Sequence, residues 1–400
     1  MAYDPTFKLC RRALNVIRCF ASGGQSAFSA RPVACPESFR LRAMTQRSPK
    51  RVSNLAVGNS GIPVRRFLSG SVFSVRSCFA FVQASQVPDI FKPASTPADS
   101  IHRLSVFVLI ITGLIFLVVF SLLAYAVGKF RHRASEDGRE PPQVYGSNQM
   151  ELAWTVVPVL IVLVLFFATA RVIHSIQQAV PPPGTIQVTA IGHQFWWEFR
   201  YPAFGVVTAN ELHVPVSDPA QRRPTFVTLL SADTDHSFWV PQLSGKTDLI
   251  PNRVNSLWME PHETGMYVGQ CAQYCGTQHA KMLLRVYVES PEQFSQWIAA
   301  EKQPARSADA VAAGRQIFEK TACINCHAVS GTIADGRFGP DLTHLMSRET
   351  IAAGAATNTH ENLKLWIHNP DAIKPGSLMP AMNLSDPELE AVTVYLESLR

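Results

Sequence analysis

Two long uncharged runs, a block of alternating strands and a C-terminal block of helical period predict a multidomain membrane protein. It should consist of a two-helix transmembrane hairpin, a β-sandwich or barrel, and a small all-α domain. A chain of 400 residues accommodates two or three domains, and 47% hydrophobic residues is high for a wholly soluble one.

The hairpin is the first element. "LSVFVLIITGLIFLVVFSLLAYAV" (104–127) and "LAWTVVPVLIVLVLFFATA" (152–170) hold no charged side chain, and each is about as long as a bilayer-crossing helix. Helices at about 104–127 and 152–173 are expected, in a module covering 85–178. Two buried core helices are the competing reading, which these lengths disfavour. Pro158 falls in the first turns of the second helix, where a missing N–H costs least. The connecting loop carries Lys129, Arg131, Arg133 and Arg139, so positive-inside bias puts it in the cytoplasm and everything beyond 171 on the outer face.

Charge is unevenly spread. Residues 1–80 hold 13 Lys and Arg against 2 Asp and Glu, whereas residues 81–400 hold 23 against 28. The formal charge of +6 therefore belongs to the N-terminal tail, which argues against a nucleic-acid partner and in favour of a basic protein partner. Residues 1–84, Arg- and Ser-rich and poor in acids, read as a tail, a targeting segment or an extension with no structural role in the mature protein.

After the stiff spacer "AVPPPGT" (179–185) the pattern becomes period two, in "TIQVTAI", "FVTLLSA", "GMYVGQC" and "MLLRVYV", with Gly, Pro, Asn and Asp between the runs. This block defines a domain at 185–298. Past "AEKQPARSADA" (300–310), the runs "AVAAGRQIFEK", "ENLKLWIHNP" and "SDPELEAVTVYLESLR" carry apolar residues at helical spacing, and Ser385 with Glu388 forms a capping box for the last helix. The domain at 308–400 is small enough to need a cofactor in its core.

Each outer domain carries one dense motif. "CINCH" (323–327) is C-x-x-C-H, the c-type haem attachment signature: two thiols add across the haem vinyl groups, and His327 is held beneath the iron. A thioredoxin-like redox pair is the bland alternative, but no βαβ pattern surrounds it. Met379, on the Pro/Gly loop "PGSLMPAMNLSD", is the best sixth ligand, with Met382 second and Met346, His344, His360 and His368 remote. Thioether ligation raises the haem potential and suits electron transfer.

"CAQYCGTQHAKM" (271–282) packs two thiols, an imidazole and a thioether into twelve residues. A disulfide would idle the other two, and zinc has little use for a thioether; copper takes all three ligand types. A mononuclear blue-copper site needs one Cys, so the second points to two coppers bridged by both sulfurs. The second histidine of such a pair could be His236 in "SADTDHSFWVPQL" (231–243).

Two membrane helices followed by "DTDHSFWVPQLSGKTDLIPNRVN" and "CAQYCGTQHAKM" resemble subunit II of the haem-copper cytochrome c oxidases. With "CINCH" added, residues 85–400 look like the caa-type variety, in which cytochrome c is fused to that subunit. The resemblance implies a cupredoxin-like β-sandwich and an all-α class I cytochrome c domain. It implies a binuclear copper centre, CuA, on His236, Cys271, the Gln273 carbonyl, Cys275, His279 and Met282, with Asp233 beside the first histidine. It implies haem c on Cys323, Cys326, His327 and Met379. "ELAWTVVP" matches the start of the family's second helix and puts Glu151 at the mouth of a proton pathway, although an acid at a helix N-terminus is also simply favourable there.

Two departures stand out. Many relatives have Glu where Gln273 stands, and its side chain helps hold Mg2+ against subunit I; Gln273 lacks that carboxylate, which puts the magnesium in doubt. Phe195 occupies the place where relatives that receive soluble cytochrome c carry a Trp for electron uptake, with Trp196 and Trp197 directly after it.

The resemblance implies the electron-receiving subunit of a terminal oxidase, multi-pass in a bacterial inner membrane with both redox domains on the periplasmic face. Its partners would be subunits I and III and a small donor cytochrome c. Electrons would run from haem c to CuA and on to haem a of subunit I, where oxygen becomes water and protons are pumped. Tethering the donor raises its local concentration into the millimolar range. A copper chaperone of oxidase assembly would be thioredoxin-like and single-pass, and nitrous oxide reductase would need many more histidines. A quinol oxidase subunit II would lack the copper ligands.

Overall fold

Why the first helix starts where it does is a matter of what lies beneath it. The computed structural model describes residues 89–131, 143, 145–177, 181, 183–217, 223–305 and 309–400. The tail 1–84, Arg133 and Arg139 of the connecting loop, and part of the 179–185 spacer lie outside them. Helix α1 spans Thr96–Lys129 and α2 spans Asn148–Gln177, each longer at both ends than the apolar runs suggest. Hydropathy marks only the part that crosses the bilayer; the polar ends are helical because they are fastened elsewhere. Ser95, extended at the N-cap of α1, accepts from the Glu260 N–H at 2.9 Å, and Asp99 meets His262 at 3.0 Å. The last turn of α2 is held by the Trp258 indole, which donates to Ile176 O at 2.8 Å.

The mean hydropathy of the two helices is 3.1 and 2.7. No residue of α2 is buried, and Leu117, Phe120 and Phe166 are all more than half exposed. Apolar surface of that extent is stable against lipid or another protein, not against water.

The strands form a cupredoxin-like sandwich. Sheet one runs β3 (Val206–Ala209), β2 (Trp196–Tyr201), β1 (Gln187–His193), β5 (Thr225–Ser231), β8 (Asn255–Met259). Sheet two runs β4 (Glu211–Pro215), β10 (Leu283–Glu289), β9 (Gly265–Cys271), β6 (His236–Trp239), β7 (Thr247–Leu249). β1 with β5 and β4 with β10 are parallel pairs in otherwise antiparallel sheets. β10 alternates buried and half-buried residues, as a strand with one face on a core should. β2, "WWEFRY", is buried almost throughout, because its outward residues Trp196 and Glu198 are covered by the C-terminal domain. Helix α3 (Pro291–Glu301), begun by a Ser290/Gln293 capping box, sends Phe294 and Ile298 into the sandwich core.

The C-terminal domain has its own core, built on Phe318, Leu345, Leu363, Ile367, Val392 and Tyr395. Its helices are α4 (Ala312–Lys320), α5 (Cys323–Cys326), α6 (His360–His368), α7 (Pro370–Ile373) and α8 (Asp386–Glu397). Strands β11 (Thr350–Ile351) and β12 (Ala356–Thr357) are a small addition to the expected all-α pattern. The capping box at Ser385 forms as read from the sequence: the Glu388 carboxylate accepts from the Ser385 N–H at 3.0 Å and from its hydroxyl at 2.6 Å.

Candidate functional site

Local chain geometry brings the sulfur and nitrogen donors of the sandwich to one end of sheet two. Cys271 closes β9 and His236 opens β6, and β6–β9 pairing sets Phe238 opposite Cys271. The loop then returns through a 3-10 turn at His279–Lys281, and Met282 accepts from the Cys271 N–H at 2.9 Å. Cys271 Sγ lies 3.9 Å from Cys275 Sγ and 3.9 Å from His236 Nδ1. Cys275 Sγ lies 3.7 Å from His279 Nδ1 and 3.8 Å from Met282 Sδ, and the Gln273 carbonyl oxygen is 3.1 Å from Cys271 Sγ. All six groups singled out in the sequence therefore converge. The Gln273 side chain is at the surface, so only its carbonyl faces the cluster.

A sulfur separation of 3.9 Å is far beyond the roughly 2.05 Å of a disulfide, and both thiols are free. The pair also holds back one proton. A hydrogen bond from the Cys275 thiol pulls Cys271 down to about 3, while the neighbouring thiolate and burial push Cys275 up. Two thiolates this close need a cation between them, and the surrounding donors are of the soft kind copper takes.

Beyond the donors, Asp233 orients the first histidine. His236 Nε2–H donates to Asp233 Oδ1 at 2.7 Å, which leaves Nδ1 free toward Cys271. Burial opposes the charged form of both groups, but their mutual hydrogen bond outweighs it: His236 is raised and Asp233 lowered. Gly192 makes room for the ring, since a Cβ there would stand 2.8 Å from it. Gln194 braces the loop that carries Cys275, its side-chain amide donating to Cys275 O at 2.5 Å and its backbone N–H to Asp233 Oδ2 at 2.6 Å.

The C-terminal domain encloses a mostly apolar cavity of about 690 Å3. Its wall includes Cys323, Cys326 and His327, and also Met379 and Met382. Met346, His344, His360 and His368 are not part of the wall. His344 Nε2–H donates to Gln303 O at 2.9 Å, and His360 pairs with Glu397 at 3.1 Å. His327 Nδ1–H donates to Pro340 O at 2.7 Å, so its other nitrogen presents a lone pair. Burial keeps this imidazole neutral by lowering it. Gly339 lies so close that a Cβ would reach the His327 ring at 2.6 Å.

Arg348, which the sequence reading missed, is buried at the cavity wall with its Nε unpartnered among the described residues. Its Nη2 donates to Asp341 O at 2.6 Å, and the spare Nε–H suits an acid such as a haem propionate. A lone Arg among polar residues carries no sequence signal of that kind.

The cavity is not closed by its own domain. Gln194, Phe195, Trp196 and Asp233 of the sandwich complete its wall. Trp197 instead points into the sandwich core, its ring 6.1 Å from that of His236. Glu151 lies in the first turn of α2, exposed, at the far end of that helix from the sandwich.

Comparison with known proteins matches three families along this chain: "Cytochrome C oxidase subunit II, transmembrane domain" at 84–172, "Cytochrome C oxidase subunit II, periplasmic domain" at 219–289, and "Cytochrome c" at 311–400. Cytochrome c oxidase subunit 2 of Alkalihalophilus pseudofirmus is 33% identical over 315 residues, covering 77% of this chain and 90% of that protein. The Bacillus subtilis protein of the same name is 31% identical, covering 77% and 91%. Among solved structures, the periplasmic domain of subunit II of cytochrome oxidase from Bradyrhizobium japonicum is 29% identical, covers 31% of this chain and 97% of its own, and has a TM-score of 0.28.

Proposed function

Because this chain belongs to the cytochrome c oxidase subunit II family and carries a cytochrome c domain, we propose that it is the electron-receiving subunit of a terminal oxidase, with both redox groups held in this one chain. His236, Cys271, the Gln273 carbonyl, Cys275, His279 and Met282 would hold the two coppers of CuA. Cys323, Cys326 and His327 would hold haem c, with Met379 as the sixth ligand. When bound, the two groups supply one-electron transfer from a donor cytochrome c toward haem a of subunit I, where oxygen reduction drives proton pumping.

The carrying observation is the convergence of two thiols, two imidazoles and a thioether within 3.9 Å contacts beside a cavity whose wall holds the Cys-x-x-Cys-His motif. The chain's own residues keep the two groups dry and oriented. Asp233 and the Pro340 carbonyl each fix the tautomer of one histidine. The apolar cavity excludes water from the haem face, which favours the reduced state and a high potential. Glu151 sits at the membrane end opposite the redox domains, where a carboxylate could collect protons for subunit I. No Mg2+ is assigned, since Gln273 offers no carboxylate.

Metal and haem analysis of the purified protein with its optical spectrum tests the reading. Two coppers and one haem c per chain are expected; one zinc and no haem would overturn it. Asp233→Asn is expected to lower copper affinity by about 10- to 100-fold, the usual effect of removing a group that orients a ligating histidine. Competition titration against a copper chelator measures it, and an unchanged affinity would remove Asp233 from the site.

A further inference from the structure

The boundary between the two redox domains holds two buried charged side chains that make no direct ion pair among the described residues. Lys374, in the C-terminal domain, is 2% exposed and donates to the carbonyl of Phe195 at 2.7 Å and of Ala352 at 3.1 Å. Glu211, on β4 of the sandwich, is also 2% exposed and accepts from the N–H groups of Glu349 and Thr350 and from the Thr350 hydroxyl at 2.9–3.2 Å. Each domain thus sends one charge into the other's backbone. Both charges take their direct hydrogen bonds from uncharged groups, with Arg348 acting on Glu211 only through space, and burial on such partners is costly unless the site is held shut. Burial pushes Lys374 down to about 7 and raises Glu211, so in each the cost of desolvation outweighs the help its neighbours give the charged form.

The backbone at this boundary is strained as well. Ala352, Ala353 and Gly354 all have positive φ, at 53°, 57° and 78°. Two alanines in the left-handed region persist only where the surroundings over-determine them. Here Ala352 O takes the Lys374 ammonium, Ala353 O accepts from the Leu283 N–H at 3.1 Å, and Ala353 packs with Trp196 and Ala209. Lys281 also donates to Ile373 O at 2.6 Å.

We propose that Lys374 and Glu211 are positioning residues: a reciprocal clamp that seats the haem domain in one place on the sandwich, with its cavity against Phe195 and Trp196. The clamp acts on the segment that already touches both sites. Phe195 and Gln194 line the cavity, and Gln194 donates to the carbonyl of the ligand-bearing Cys275. A fused donor held this way transfers electrons from a fixed geometry rather than by repeated encounter. The proposal rests on the redox reading above only for its consequence; the seating itself is a property of this chain.

The test uses the full-length protein in detergent with Lys374→Met, Glu211→Leu and Glu211→Gln. The first two remove the polar groups and keep the bulk, whereas the third keeps an acceptor oxygen. Hydrogen exchange at the Glu349 and Thr350 amides reads the seating without reference to activity. Protection should be lost in Glu211→Leu, reduced in Lys374→Met and largely kept in Glu211→Gln. Haem-to-copper transfer after flash reduction should slow by about 10- to 100-fold in the first two, because loss of the seating returns a positioned reaction to repeated encounter. In Glu211→Leu, whose site lies outside the cavity wall, reduction of the haem by added cytochrome c, its spectrum and the copper content should stay as in the wild type. Wild-type exchange and transfer rates in both Lys374→Met and Glu211→Leu would overturn the clamp. A wild-type protein lacking copper or haem would overturn the redox reading instead, and the exchange measurement would then decide the clamp alone.

Discussion

Cys323→Ala with Cys326→Ala yields a chain whose C-terminal domain does not fold, while the sandwich survives. The reason is volumetric. A cavity of about 690 Å3 lies amid the core of that domain, lined by Phe318, Leu345, Leu363, Ile367 and Val392 or their neighbours. At ~24 cal/mol per Å3 of void the unfilled space costs about 16 kcal/mol. Part of it opens toward the sandwich, but even half, about 8 kcal/mol, is comparable with the whole stability of a domain this size. Haem that merely diffuses in without the two thioether bonds dissociates whenever the domain opens. Limited proteolysis of the full-length variant is expected to remove the region 311–400 first and to leave a resistant core over the strands β1–β10, with no haem stain on the denatured chain. Wild-type resistance at 311–400 would show that the domain holds itself without the cofactor.

Cys275→Ser stops electrons between the two domains. The thiol lies within 3.9 Å of Cys271, His279 and Met282, so like Cys271 it touches both halves of the cluster. Groups that only orient a ligand contribute about 10- to 100-fold to metal affinity, so loss of a bridging thiolate should exceed that. Copper content should fall below two per chain, the haem should stay reduced after addition of a donor, and oxygen consumption by the assembled oxidase should cease. A variant that keeps two coppers and normal turnover would exclude Cys275 as a bridge.

The same residue sets a pH dependence. Without metal, Cys271 is a thiolate and Cys275 holds its proton, because its pKa is raised. Copper must displace that proton, so apparent affinity rises with pH, by about tenfold per unit for one proton released, up to the raised pKa of Cys275. In Cys275→Ser that proton is absent and the slope should fall, leaving the part due to His236, whose pKa is raised by Asp233. Chelator competition at a series of pH values measures both lines.

The two electron-transfer motifs were legible because each is short. Cys323, Cys326 and His327 lie within five residues, and Cys271 to Met282 within twelve, so spacing alone announces the chemistry. The membrane helices were legible for a related reason: lipid imposes one composition on every position along some twenty residues. Helix ends escaped that reading, because Thr96–Ile101 and His174–Gln177 are polar or mixed and are fastened by Glu260, His262 and Trp258 rather than by lipid. The alternation in β10 was visible and that in β2 was not, since β2 is covered on both sides.

What this sequence determined by itself is therefore the kind of chemistry in each domain and the order of the domains along the chain. Tertiary structure alone decided how the domains meet. His236 reaches Cys271 across 35 residues, Lys374 reaches Phe195 across 179, and Glu211 reaches Thr350 across 139. Arg348, Lys374 and Glu211 belong to residue types that are mostly solvated, and nothing near them in the chain says they are buried. Their roles come from which backbone groups the folded chain sets opposite them, and that depends on contacts no local spacing encodes.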